Sequence, residues 1–293
     1  MLIKICNFLK LKSKIKFSLK KKWFSSLNNL SDNTLSYLSD VNQENIRIIN
    51  NKKDLILLIK KKNIKIHKRI IQVETFDPKL TFFEILKNFY ILDIKNIKPK
   101  IGKNTIISTN VIVGKNVVIG NNTVILSNVV INDNVHIGNN CSIKSGSVIG
   151  QKGFQAIRDK NNNLVEIFHV GKVIIKDFVD IGALNTIAGG TIDSTYIDSY
   201  NKFDDHIHVA HNCYFGKNNI ICAAVTFGGS VRIGENNFFG LNSTIRNFLP
   251  FKEILENYLE NNSKNKISNV DLNSLDNELE DNVEEDNDVG ENV

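Results

Sequence analysis

The sequence predicts a mainly β chain whose centre is a left-handed parallel β-helix, and three observations predict it. The first is a large apolar residue every six positions. It runs through Ile101, Ile107, Val113, Ile119, Ile125, Ile131, Ile137, Ile143 and Ile149, then Ile175, Ile181 and Ile187. After one slip to Ile197 it continues at Phe203, Val209, Phe215, Ile221, Phe227, Ile233, Phe239 and Ile245. The second is a column of smaller residues two positions ahead, at Val111, Val117, Thr123, Val129, Val135 and Cys141. The third is the supply of Asn-Gly, Gly-Asn and Asp-Asn pairs between the aliphatics, residues that accept the positive φ of a tight corner. A period of six suits neither a helix nor a two-sided sheet. It suits a solenoid in which each flat face takes one hexad and three faces close a coil. The large residue then fills the axis and the smaller one the corner.

Around this core the 293 residues, 42% of them hydrophobic, divide into five segments. Residues 1–22 carry eight lysines and no acid, and read as a solvated basic segment. Residues 23–98 lack the hexad period and read as a small α/β domain. Within it, residues 70–76 form a candidate strand and residues 78–92 an amphipathic helix with Phe82, Phe83, Ile85, Leu86 and Phe89 on one face. The solenoid covers 99–250. Its one long interruption, 151–172, is too long for a corner and leaves the coil as a loop or hairpin that lines a binding surface. A short helix at 251–261, after Pro250, would cap the open end. Residues 262–293, with ten acids against two lysines, lack the apolar surface to fold and read as a disordered tail.

Composition narrows the function. No window approaches eighteen uninterrupted apolar residues, which argues against a spanning helix; the expected setting, as for the enzyme reading below, is cytoplasmic. Cys6, Cys141, Cys213 and Cys222 show no CxxC spacing, and Cys141 and Cys213 fall on inward corners as core fillers. No nucleic-acid-binding motif accompanies the lysines.

Chemistry concentrates in residues 203–216, which hold His206, His208 and His211. None of the three occupies the inward column. His211 is the third residue of the hexad starting at Val209, on the outside. Asp204, seven residues earlier, is expected near the same corner, where a carboxylate could hold the ring in one tautomer. Gly229 follows His211 by eighteen residues, one full coil, and so stacks over it at about 4.8 Å. A glycine there lets a reacting carbonyl approach a backbone N–H that can receive an oxyanion. A metal reading competes: His169, His206 and His211, with separations of 37 and 5, loosely resemble the three-histidine zinc sites of trimeric solenoids of the γ-carbonic anhydrase kind. The favoured reading uses no metal and no cofactor.

Residues 185–218 resemble the active-site region of the UDP-3-O-acylglucosamine N-acyltransferase family of the lipid A pathway, hexapeptide-repeat enzymes whose pattern ends in I-A-H-N. The ten-residue slip from Ile187 to Ile197 is shared. So is the interruption, which starts with a G-x-x-G-F segment. Residues 24–40 resemble that family's uridine-binding domain, and residues 76–89 its N-P-R-x-x-F-A helix. The resemblance implies that His211 is the general base taking a proton from a sugar 2-amino group, that Asp204 assists it, and that the N–H of Gly229 receives the oxyanion. It implies acyl carrier protein as acyl donor, a UDP-linked amino sugar as acceptor, and a homotrimer with clefts between neighbouring solenoids. It places Tyr37, Asp40, His208 and Asn212 on the substrate side. Three departures stand out: Asp40 and Gln43 replace an Asn and an aromatic, Ala188-Gly189-Gly190 replaces D-R-G, and Phe248 replaces a histidine on the acyl-donor side. Two alternatives remain open, an acetyl-CoA-dependent sugar acetyltransferase, favoured by residues 238–247, and a non-catalytic sugar-nucleotide-binding solenoid.

Overall fold

A computed structural model describes residues 2–10, 19, 23–61, 64–90 and 97–246. Phe248, the helix expected at 251–261 and the acidic tail at 262–293 lie outside the described residues.

Three parallel sheets of seven strands each form the walls of a solenoid. The first face starts at Lys100–Ile101, the second at Ile106–Ile107 and the third at Ile112–Val113. Every strand ends on a residue of the six-residue apolar series or, in two places, runs just past it. Those residues form one core cluster from Val117 to Ile245, joined by the smaller corner residues Val117, Val129, Val135, Cys141 and Cys213. Burial lifts the Cys141 thiol to about 11 and that of Cys213 to about 12, so both stay protonated fillers. The apolar series is least buried at its start, where Ile101 is half exposed. From Phe203 onward aromatics alternate with aliphatics along the bore, and Phe203, Phe215, Phe227 and Phe239 meet edge to face in sequence. Each such ring, fully buried, contributes about 1.5–3 kcal/mol.

The corners explain the asparagines. Asn104, Asn110, Asn116, Asn122, Asn128, Asn134 and Asn140 all sit at positive φ, the conformation that Asn tolerates better than other residues with a Cβ. Their amides bond from coil to coil, as from Asn104 to Asn122 and from Asn116 to Asn134. Beyond the interruption, larger residues take the same conformation: Phe178, Leu184, Tyr200 and His206. Phe178 and Tyr200 stack with ring centroids 4.9 Å apart.

The interruption leaves the third face as a hairpin, Ala156–Arg158 against Leu164–Glu166. The small domain is a parallel sheet, β1 (Leu35–Tyr37), β2 (Ile56–Ile59) and β3 (Ile71–Glu74), with helices α1 (Leu2–Phe8), α2 (Gln43–Asn50) and α3 (Pro78–Phe89). Asp77 caps α3 by accepting from the Leu80 N–H, with Pro78 in the first turn. The buried face of α3 includes Phe82, Phe83, Ile85 and Leu86, as its spacing predicts. One finding differs from the sequence reading. The basic start is not simply a solvated face: Ile5 of α1 is fully buried and Phe8 meets Phe89 edge to face. The small domain packs on the solenoid, since Ile167 of the hairpin and Ile192 of the slip belong to the same apolar cluster as Phe24, Phe82 and Phe83. Docking there brings α3 to the coil that carries His211.

Candidate functional site

His208–Val209 is a strand of the third face, and His211 follows it at the corner. Val209 pairs with Phe227 one coil above, so the eighteen-residue register carries Gly229 over His211 as expected. The approach is close. A Cβ on Gly229 would fall 2.6 Å from Cε1 and 2.7 Å from Nε2 of the His211 ring, so glycine is required for the ring to lie there. Among the described residues, the Gly229 N–H has no hydrogen-bond partner.

The neighbouring asparagine fixes the tautomer of His211. Asn212 Oδ1 accepts from the Thr191 backbone N–H at 2.7 Å and from Thr191 Oγ1 at 3.1 Å, which identifies that atom as the oxygen. His211 Nδ1 lies 3.2 Å from the same oxygen and must therefore donate to it. Nε2 is left with its lone pair, on the ring edge beside Gly229. The Asn212 backbone N–H in turn donates to Thr195 Oγ1, so the slip between Ile187 and Ile197 holds the residue that orients the base.

Electrostatics favour a neutral ring. Burial pushes the His211 pKa down and the Lys79 ammonium of α3 lowers it further, while the Asn212 bond acts the other way. Lys79 is itself pushed down by burial, against the pull of Asp77. His169, at the end of the hairpin, meets His211 edge to face with centroids 5.6 Å apart. It is 7% exposed, and its pKa is lowered by burial and by His211.

The other sequence-predicted residues are distributed as follows. Asp204 follows the second-face strand Lys202–Phe203 and lies at the corner between the second and third faces, while His211 lies at the far end of the third. The expected pairing at one corner is therefore corrected: a hexad is one face, so an offset of seven reaches the next corner. Within the chain, Asn212 takes the orienting role assigned to Asp204. The carbonyl oxygen of Asn212, expected on the substrate side, is occupied by Thr191 and His211. His208 points outward on the third face and bonds Thr186 Oγ1 through Nδ1 at 2.6 Å. His206 is a corner residue at φ 60°. Within one chain His206 is thus a face away from His211, which lies beside His169, and no metal-holding cluster occurs among the described residues. Tyr37 packs on Phe82 and Phe83, and burial together with Asp193 and Asp77 raises its hydroxyl to about 12. Asp40 is exposed beyond β1. Asp193 of the slip accepts from Ser26 Oγ, a direct tie between the small domain and the solenoid.

Sequence reasoning missed Lys79, Asn212 as the orienting group, and Gly153. A Cβ on Gly153 would fall 2.7 Å from His211 Cβ and 2.8 Å from His169 Cε1, so the G-F turn of the interruption rests between the two histidines. The glycine of that turn was the available signal.

A family described as "Bacterial transferase hexapeptide (six repeats)" matches residues 116–151. A UDP-3-O-acylglucosamine N-acyltransferase of Campylobacter lari is 37% identical over 232 residues, 72% of this chain and 72% of that protein. A protein of the same name from Coxiella burnetii is 43% identical over 88 residues, 30% of this chain and 26% of its own length. A solved UDP-N-acetylglucosamine acyltransferase of Francisella novicida is 27% identical with a TM-score of 0.42, covering 50% of this chain and 58% of that one.

Proposed function

Because the chain belongs to the UDP-3-O-acylglucosamine N-acyltransferase family, we propose that it moves an acyl chain from acyl carrier protein to the 2-amino group of a UDP-3-O-acyl-glucosamine. The chain is an acyltransferase of lipid A biosynthesis; the carrier-protein donor, the homotrimer and the cytoplasmic setting are the parts proposed. No helix among the described residues is long and apolar enough to cross a membrane. The observation that carries the reading is the His211 ring with Nε2 open, lying against Gly229 one coil above.

The chemistry follows from that arrangement. The sugar amine attacks the thioester carbonyl carbon while His211 Nε2 takes the proton it sheds. Negative charge develops on the carbonyl oxygen, where the Gly229 N–H is placed to donate. The carbon–sulfur bond then breaks, and the imidazolium returns its proton to the departing thiolate. A protonated His211 could not start this sequence, so burial and Lys79 work in its favour. In the proposed homotrimer Asp204, at the opposite corner of the same face from His211, is free to act on the His211 of a neighbouring copy.

The test is direct. Purified protein given UDP-3-O-acyl-glucosamine and an acyl carrier protein thioester yields the diacylated sugar nucleotide, read by mass spectrometry. No product, together with turnover of acetyl-CoA on a sugar nucleotide, would replace this reading by the acetyltransferase one.

A further inference from the structure

His169 has no task in the chemistry just described, yet it is more than nine-tenths buried and neither ring nitrogen has a hydrogen-bond partner among the described residues. The Gly189 backbone lies near enough to favour its charged form without completing a hydrogen bond. A buried polar atom left unpaired costs about 1–3 kcal/mol. Such a group persists where the surrounding structure holds it for a purpose. The purpose is indicated by what holds it. The hairpin enters through Gly153, which is wedged against both His169 and His211, and leaves through His169 itself. Its inner end packs into the core of the small domain through Ile167. The hairpin therefore has no freedom to withdraw the His169 ring without breaking that packing.

We propose that His169 is a positioning residue for the acyl transfer: the hairpin presses its imidazole against the ring of His211, so that the two rings take up protons as a pair and never both at once. The inference rests on the assignment of His211 as base, but its test does not depend on substrate. Two like groups in contact titrate in two macroscopic steps that belong to the pair. The groups facing the pair are Lys79 from α3 and, on the hairpin side, Glu166 and Lys152. Lys79 and Lys152 resist a second proton and Glu166 invites it. None of them is recorded against both side chains as Gly153 is.

The experiment is a nitrogen-15 NMR titration of the histidine imidazoles in the whole unliganded protein, with His211 assigned by its loss in His211→Gln. In the unaltered protein the His211 resonance moves in two steps. His169→Ala removes both the repulsion and part of the burial. His211 then titrates in one step, about 0.5–1 unit higher. His169→Gln keeps the bulk and hydrogen-bonding capacity without the charge, giving one step at an intermediate position. Gly153→Ala forces the rings apart from the opposite side and should also raise the value. An unchanged His211 curve in the folded Ala and Gln variants would overturn the proposal. So would a single step in the unaltered protein. If the titrations behave as stated but no acyl transfer is found, the pairing stands and the assigned reaction falls.

Discussion

The coils from Ile101 to Ile149 and the stretch from Gly150 to Ile197 draw on the same residue types, yet they do different work. The first keeps phase for nine hexads, with asparagine at seven consecutive corners. It presents no orphaned histidine and docks no second domain through the clusters described. The second loses phase twice, and at each loss something reaches His211: Gly153 and His169 from the hairpin, Thr191 and Thr195 through Asn212 from the slip. His211 and Gly229 themselves sit on regular coils. A strict repeat therefore sets where the base is, and departures from it set what surrounds the base. The corners show the same contrast, since Phe178, Leu184, Tyr200 and His206 accept a conformation costing about 1–2 kcal/mol only beyond the interruption.

Four predictions sharpen or break this contrast. The largest effect is expected from His211→Ala, which removes the base and should lower kcat by about 10²–10⁴-fold. His136→Ala, on the regular first face, should stay close to the parent rate in the same steady-state assay. Next is Gly229→Ala. Its methyl would displace the ring, and a shift of about 1 Å can cost about 10²-fold. Gly216→Ala meets only the next turn, at Gly234 and Glu235, and should lower thermal stability while sparing kcat. If both glycine variants lost activity equally, the special status of the Gly229 coil would be gone.

A smaller effect separates two asparagines at the same kind of corner. Asn134→Ala and Asn212→Ala each place alanine at positive φ and should cost about 1 kcal/mol in denaturant unfolding. Only Asn212→Ala frees the His211 tautomer, and the lost hydrogen bond should reduce kcat/KM by about tenfold. The smallest is a pH effect. The His211 pKa is held below the ordinary histidine range, so kcat/KM should fall only as pH drops through that lowered value. Lys79→Met removes a positive neighbour, the pKa rises, and the acid limb should move up by a few tenths of a unit. A limb that moved down would show that Lys79 acts on the substrate instead.

Most of the fold was legible because phase is additive: counting sixes gives the face, and counting eighteens gives the coil neighbour. That is why Gly229 was placed correctly from His211. The same arithmetic misled for Asp204, because seven is one face and one residue, and the corner it reaches is not the one His211 occupies. Lys79 could not be found by counting. Its position depends on the small domain docking through Ile167 and Ile192, a contact between segments with unrelated periods. His169 was visible as a residue but not as a neighbour, since a hairpin of twenty-odd residues can fold back onto any coil. Tyr37 and Asp40 show a similar limit: a strand was not read at Leu35–Tyr37, so the burial of the tyrosine against Phe82 and Phe83 was out of reach.

The regular coils below the interruption have one consequence of their own. Each stacks about 4.8 Å on the last, so the number of coils acts as a spacer that fixes how far the base stands from the open end at Ile101. Deleting eighteen residues there would shorten the pedestal by one storey and leave His211 with its neighbours intact. Deleting six would swing everything above through a third of a turn and detach the small domain from its seat. Evolution can therefore change the height of this molecule in whole coils without rebuilding what it carries.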